Sequence, residues 1–348
     1  MRYINRRIIA VAALLVFAAA AVATFAVAQN LRFPPAPEKI TVRAVPIPSF
    51  DNRDPTRVRF GALEFRGGLA LTSSSSAFGG ISGLLMPDHE HLIAITDRGS
   101  WLKARLVYDN GRLSGLADAE MAPLLGANGV PLAAQKARDS EALARIGEDI
   151  FVGIERVERI VRFAYGKSGF AARGEDVPVP SDFKTFDKNA SLECLAAPPS
   201  GQRHAGKLVI VTERSLDATG NHRAFVLDHS AKNGDAGVLR FSLTRSDDFD
   251  VTDCTVLPPG ELLILERRFS LSRGVAMRIR RMPLAAIEDG ALLDGPILVE
   301  ADLGYQIDNM EGVAVTKNTD GETIVTIVSD DNFSPIQRNL ILQFALVD

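Results

Sequence analysis

Histidine is scarce in this sequence, five residues in 348, and none of the five stands at a spacing that holds a metal. His89 and His91 fall in one hairpin loop, while His204, His222 and His229 are scattered between strands, which disfavours a histidine metal centre and a Ser-His triad. The nucleophile elbow is missing too: in Gly80-Ile81-Ser82-Gly83 the second glycine comes one residue too early for G-x-S-x-G. Ser100-Trp101-Leu102-Lys103 matches S-x-x-K only at a level that chance supplies. Positive charge is short, 39 Lys and Arg against 43 Asp and Glu for a net charge of −4, which argues against nucleic acid as a partner. Helical periodicity is scarce, whereas short Val, Ile and Leu runs bounded by Gly, Pro, Asn or Asp are common. The chain therefore reads as all-β.

Arg6 and Arg7 precede an uncharged apolar run over residues 8–28, and Ala26-Val27-Ala28 fits a small-x-small cleavage site before Gln29. Residues 1–28 read as a signal peptide, residues 29–56 as a Pro- and Asp-rich linker, and residues 57–348 as one folded domain. The expected location is periplasmic or secreted, by the general or the twin-arginine export route. Membrane attachment is expected only if the segment stays uncleaved, and its alanine-rich end makes a weak span.

The fold is written in an internal repeat. IDNMEGVAVTKNTDGETIVTIVSDD (residues 307–331) reads as two strands joined by a glycine turn, with carboxylates where the first begins and the second ends. Further copies lie at residues 79–99, 138–157, 190–215 and 250–269. Superposed, their first-strand positions are Ser82, Glu141, Glu193, Asp253 and Glu311, 52 to 60 residues apart, and their second-strand positions are Asp97, Glu155, Glu213, Glu266 and Asp330. A near-constant period of this length built from β-hairpins predicts a single β-propeller. Five blades are favoured, with a sixth, degenerate blade from residues 39–72 as the alternative. The last repeat is one strand short. The strand at residues 57–65 is expected to fill the gap by pairing with the C-terminal strand, closing the ring and removing its exposed edges.

Antiparallel strands joined by a tight turn bring the start of one beside the end of the other, so both acids of each repeat sit at one rim. Carboxylates packed together raise one another's pKa values and destabilise the fold unless cations neutralise them. A hard ion is expected, calcium with its roughly six to eight oxygen ligands. Its expected ligands are Glu141, Glu193, Asp253, Glu311 and Asp330, with Asp97, Glu155, Glu213 and Glu266 as catalytic groups. Arginine follows each of those four, and Arg98, Arg156, Arg214 and Arg267 carry planar forks suited to a phosphate or carboxylate. They are the expected substrate-binding groups, for a small anionic substrate; the bland alternative is that the Glu-Arg pairs lock blade to blade. Ser82, the first-strand position without a carboxylate, is a candidate nucleophile. Cys194 and Cys254 each follow a first-strand acid. Equivalent positions on adjacent blades usually lie beyond the about 7 Å a disulfide spans, so two buried free thiols are expected.

FGGISGLL (residues 78–85), ITDRG (95–99), DSEALA (139–144), LLILERRFS (262–270), DNMEGVAV (308–315) and SDDNFSPIQRNLILQF (329–344) together resemble the exported bacterial "esterase-like activity of phytase" family. The resemblance runs over nearly the whole chain beyond the leader. It implies a β-propeller related in shape to calcium-dependent propeller phytases and lactonases, and a hydrolase of phosphoesters or esters. Calcium-dependent phosphoester hydrolysis, with a water activated by the cation as nucleophile, is the leading expectation. A carboxylesterase or lactonase using the same mouth, and a non-enzymatic envelope propeller with structural calcium, are the alternatives.

Overall fold

The computed structural model describes residues 33–188, 191–270 and 273–347, so the segment read as a signal peptide lies outside the described residues. The described chain opens with β1 (Glu38–Lys39), β2 (Val42–Ile47), β3 (Arg59–Phe60) and β4 (Leu63–Ser73). The first blade is the meander β5 (Ile81–Leu85), β6 (His91–Thr96), β7 (Ser100–Asp109) and β8 (Arg112–Pro123); the second is β9 (Ser140–Ile146), β10 (Asp149–Ile154), β11 (Arg159–Phe163) and β12 (Gly174–Val177). The third is β13 (Leu192–Ala196), β14 (Leu208–Leu216), β15 (His222–Leu227) and β16 (Leu239–Leu243), extended at its outer edge by β20 (Leu292–Leu293). The fourth is β17 (Asp250–Leu257), β18 (Glu261–Ser270), β19 (Gly274–Pro283) and β21 (Ile297–Asp302). The fifth holds β22 (Asn309–Lys317), β23 (Thr323–Asp330) and β24 (Asn339–Leu346), and takes β4 from the other end of the chain. The inner strands β5, β9, β13, β17 and β22 stand in turn around one channel, making a five-bladed β-propeller. Among the described residues, no helix is long and apolar enough to cross a membrane.

β24 and β4 pair antiparallel from Asn339 opposite Leu71 to Leu346 opposite Leu63, so the ends of the chain close the ring. The closing strand lies later than residues 57–65. Residues 59–60 fold back on β4 as β3, and the longer apolar run behind them fills the blade. β2 adds outside β4 and β1 outside β8. Residues 38–47, expected as part of a linker, are therefore outer strands that cover the edges of the fifth and first blades. No sixth blade forms from residues 39–72.

Each blade is buried on both faces, which is why its strands carry apolar residues at successive positions. One apolar cluster fills each of the five seams: Val152 and Phe163 of the second blade meet Ile95 and Trp101 of the first, and Leu69 and Ile341 of the fifth meet Leu84 and Leu102. Phe50 sits in the seam between the fourth and fifth blades, with the rings of Phe60 and Phe344 edge-on, each 5.0 Å away.

Cys194 and Cys254 are joined in a disulfide, Cα atoms 5.1 Å apart, instead of standing as free thiols. The two positions are not equivalent. Cys194 opposes Val211 one step beyond a break in its strand's register, and Cys254 opposes Ile264 two steps beyond the corresponding break. An offset of one residue turns a strand side chain to the opposite face. One cysteine thus faces forward around the ring and the other back, and they meet in the seam between the third and fourth blades.

Candidate functional site

Each inner strand carries one residue that cross-strand pairing skips: Ser82, Glu141, Glu193, Thr252 and Glu311. These are β-bulges at one level of the ring, and a bulge re-aims the side chain it frees. On the neighbouring strands, the residues one step past the pair that flanks the bulge are Asp97, Glu155, Glu213, Arg267 and Asp330, of which Arg267 and Asp330 still pair, with Asp250 and Asn309. The fourth blade is one residue out of step with the sequence superposition. Thr252 and Arg267 occupy the places expected for Asp253 and Glu266.

That shift removes both acids from the mouth. The Asp253 carboxylate accepts from the Val313 N–H of the next inner strand and from the Cys254 N–H, each at 2.7 Å, so it ties two blades together. Glu266 is fully buried within its blade, where Arg278 and Arg280 both grip it, their shortest contacts 2.6 Å. Ser82 is no nucleophile at the mouth either: its Oγ donates to the Ser140 carbonyl at 2.5 Å, as Thr252 does to that of Met310 at 2.9 Å. Where the bulge residue carries a hydroxyl, the side chain closes an interblade hydrogen bond; where it is Glu, the side chain joins the mouth.

The mouth is an open cavity of about 340 Å³ lined by Asp97, Asp139, Glu141, Glu155, Glu193, Glu213, Glu311 and Asp330, with Arg156, Arg267 and Asn332. Asp139 and Asn332 were not among the expected residues. Asp139 stands two residues before Glu141, just ahead of β9, and the fold brings the two carboxylates into one triad. Asn332 carries no sequence signal; it sits in a turn where it and Phe333 both hold left-handed backbone, φ 48° and 51°. Two carboxylate triads have ligand oxygens within 4.8 Å of one another, Asp139 with Glu141 and Glu155, and Glu155 with Glu193 and Glu213. Glu155 belongs to both.

Burial, reinforced by neighbouring carboxylates, pushes Glu155 up to about 7. Burial does the same to Glu311, against the pull of Arg267, and to Asp97, against Arg98. Glu141, Glu193 and Asp330 are raised well above the usual carboxylate range, by burial first and then by surrounding acids. Glu213 is raised by burial and partly offset by Arg267 and Arg214.

The four arginines divide. Arg267 lies inside the mouth, Nε 3.2 Å from Glu311 Oε1 and Nη2 3.7 Å from Glu213 Oε1. Arg156 pairs with Asp139 at the rim, largely exposed. Arg214 turns outward to Asp250 at 2.7 Å, and Arg98 lies over the Phe333 ring at 5.0 Å; neither lines the cavity.

Residues 76–333 match the model of the phytase-like family, described as esterase-like activity of phytase. The chain belongs to this family. The matched stretch takes in every residue that lines the mouth, so the phytase-like unit and the acidic cavity coincide. A search of curated proteins finds no match. Among solved structures, glutaminyl cyclase of Myxococcus xanthus is similar at 12% identity over 89% of this chain and 98% of its own, TM-score 0.39. The α-L-arabinofuranosidase PaAbf62A of Podospora anserina is similar at 10% identity over 76% and 91%, TM-score 0.44. The endo-arabinase of Bacteroides thetaiotaomicron is similar at 10% over 76% and 94%, TM-score 0.42. None of these likenesses bears on chemistry.

Proposed function

We propose that this phytase-like propeller is an exported, calcium-dependent hydrolase of small anionic esters, phosphoesters first. The observation that carries this reading is the pair of carboxylate triads, one half-buried and one buried, that share Glu155 beside the guanidinium of Arg267. The donor set fits a hard cation. Among the described residues the cavity offers carboxylates and one carboxamide, with no thiol or imidazole, and Asp97 Oδ1 is buried without a hydrogen-bond partner. Glu155, Glu193 and Glu213, with Asp139 and Glu141 alongside, would hold the ion. When bound, a divalent cation supplies Lewis-acid polarisation and makes water a stronger nucleophile.

The remaining roles fall to the chain. Arg267 orients the anionic group of the substrate, because its planar fork matches two oxygens of a phosphate or carboxylate. Asp97, held at about 7 by burial, keeps a proton near neutral pH and is the acid for the leaving oxygen. Export rests on the N-terminal segment, and the Cys194–Cys254 disulfide suits an oxidising compartment.

Phosphate release from inositol hexakisphosphate, with calcium and with a chelator, tests the reading. Release only with calcium is expected. Turnover of acyl esters or lactones that ignores added phosphate would replace it with the carboxylesterase reading. If calcium raises the melting temperature but no ester turns over, the propeller is a binding module with a structural ion.

A further inference from the structure

Glu213 belongs to two sets at once. Its Oε1 is 3.7 Å from Arg267 Nη2, and a carboxylate oxygen of the same residue lies within 4.8 Å of ligand oxygens of Glu155 and Glu193. On its other side Arg267 approaches Glu311 at 3.2 Å, yet that contact lacks hydrogen-bond geometry, and Nε is left buried with no acceptor. The guanidinium is therefore held by charge and under-satisfied in its hydrogen bonds. Eight carboxyl groups and two guanidinium groups line the cavity, so an anion entering the cation-free mouth finds far more acceptor oxygens than cationic donors. Arg156, the second guanidinium, is 60% exposed and paired at the rim.

We propose that Arg267 is a latched anion receptor: Glu213 and Glu311 hold it in the cation-free protein, and a divalent cation releases it by drawing Glu213 into the triad with Glu155 and Glu193. This rests on the cation reading above and adds an order of binding to it. The cation comes first, and the phosphate or carboxylate group comes second, bridging towards Arg267. Linkage makes the coupling reciprocal, so an anion that occupies Arg267 also tightens the cation. Arg267 is in turn a tethered competitor for the cation's ligand. Its removal should tighten the cation while weakening the anion, and an arginine with a purely structural role would give no such opposed pair of effects.

Calorimetric titration of the purified chain with calcium, and with inorganic phosphate below the precipitation limit, in chelator and in saturating calcium, tests this. Wild type should bind phosphate only with calcium present. Arg267→Gln, its fold verified by circular dichroism, should bind calcium about tenfold tighter and phosphate at least about tenfold more weakly. Arg267→Lys keeps a charge without the fork and should show both changes at smaller size, which serves if the Gln variant does not fold. Calcium affinity unchanged or weakened in both variants would overturn the latch, as would phosphate binding that ignores calcium. A wild type that binds no calcium would sink the cation reading and the latch with it; calcium binding with phosphate affinity indifferent to Arg267 would sink the latch alone.

Discussion

Raising the pH from 5 to 8 in a chelator should lower the stability of this propeller, because the mouth must then ionise without a counter-ion. Glu155 and Glu311 sit at about 7 in the fold against 4.5 for the free side chain. Between those values the folded state keeps protons that the unfolded chain has lost. The stability that burial of the neutral acids allows is complete below about pH 4.5, declines as the pH climbs, and is gone above about 7. A tenfold difference in proton affinity between the folded and unfolded chain is worth about 1.4 kcal/mol, so the first of these ionisations alone removes about 3 kcal/mol. For a folded domain of this size that is a fall of roughly 4–5 °C in melting temperature. His222 is fully buried, and burial lowers its pKa, so it titrates in the same range with the opposite sign. The quantity to read is therefore the difference between melting curves in chelator and in calcium, from which His222 cancels. Melting by calorimetry at pH 5, 6, 7 and 8 should show the two series converge at the acid end and separate by several degrees at the other. Curves that stay together throughout would refute the account of a buried, cation-hungry acid cluster.

Glu266→Gln should destabilise the ring by about 3–5 kcal/mol, since it leaves Arg278 and Arg280 buried against a neutral partner, yet calcium affinity should stay at the wild-type value. Asp253→Ala leaves two buried N–H groups without acceptors and should cost about 2 kcal/mol or more in chemical denaturation, again with calcium binding intact. Reducing the Cys194–Cys254 bridge, which spans a separation of 60 residues, should remove about 4 kcal/mol on the chain-entropy account, read as a drop in the denaturant midpoint. Deleting residues through Ser73 takes away β4 and should prevent cooperative folding, whereas deleting residues 1–37 should leave a cooperative transition.

The propeller was legible because its period is carried by hairpins with acids at fixed places, and the missing last strand announced closure by the N-terminal end of the chain, though at residues 57–65 instead of β4. The mouth was legible as a location for the same reason. Its membership was less so, and the cause is local. A β-bulge at every inner strand inserts one residue into the pairing, and DVTDCTV in the fourth blade offers two residues, Thr252 and Asp253, that fit the repeat equally well until the pairing is known. A carboxylate at the first-strand position favours Asp253 over Thr252. That choice carried Glu266 with it, hid Arg267 as a true member of the ring, and made the cysteines look equivalent when the offset is what brings them face to face. Asn332 was invisible because nothing in its sequence context signals a side chain delivered by two consecutive left-handed residues.

Calcium binding to the purified chain and to its Glu155→Gln variant is the most direct test that the acidic mouth is a cation site, since Glu155 is common to both triads. The account predicts binding by the wild type and a loss of about a hundredfold or more in the variant with its fold intact, a carboxylate ligand having been removed from both sets. No binding by the wild type, or binding that Glu155→Gln leaves unchanged, would contradict it.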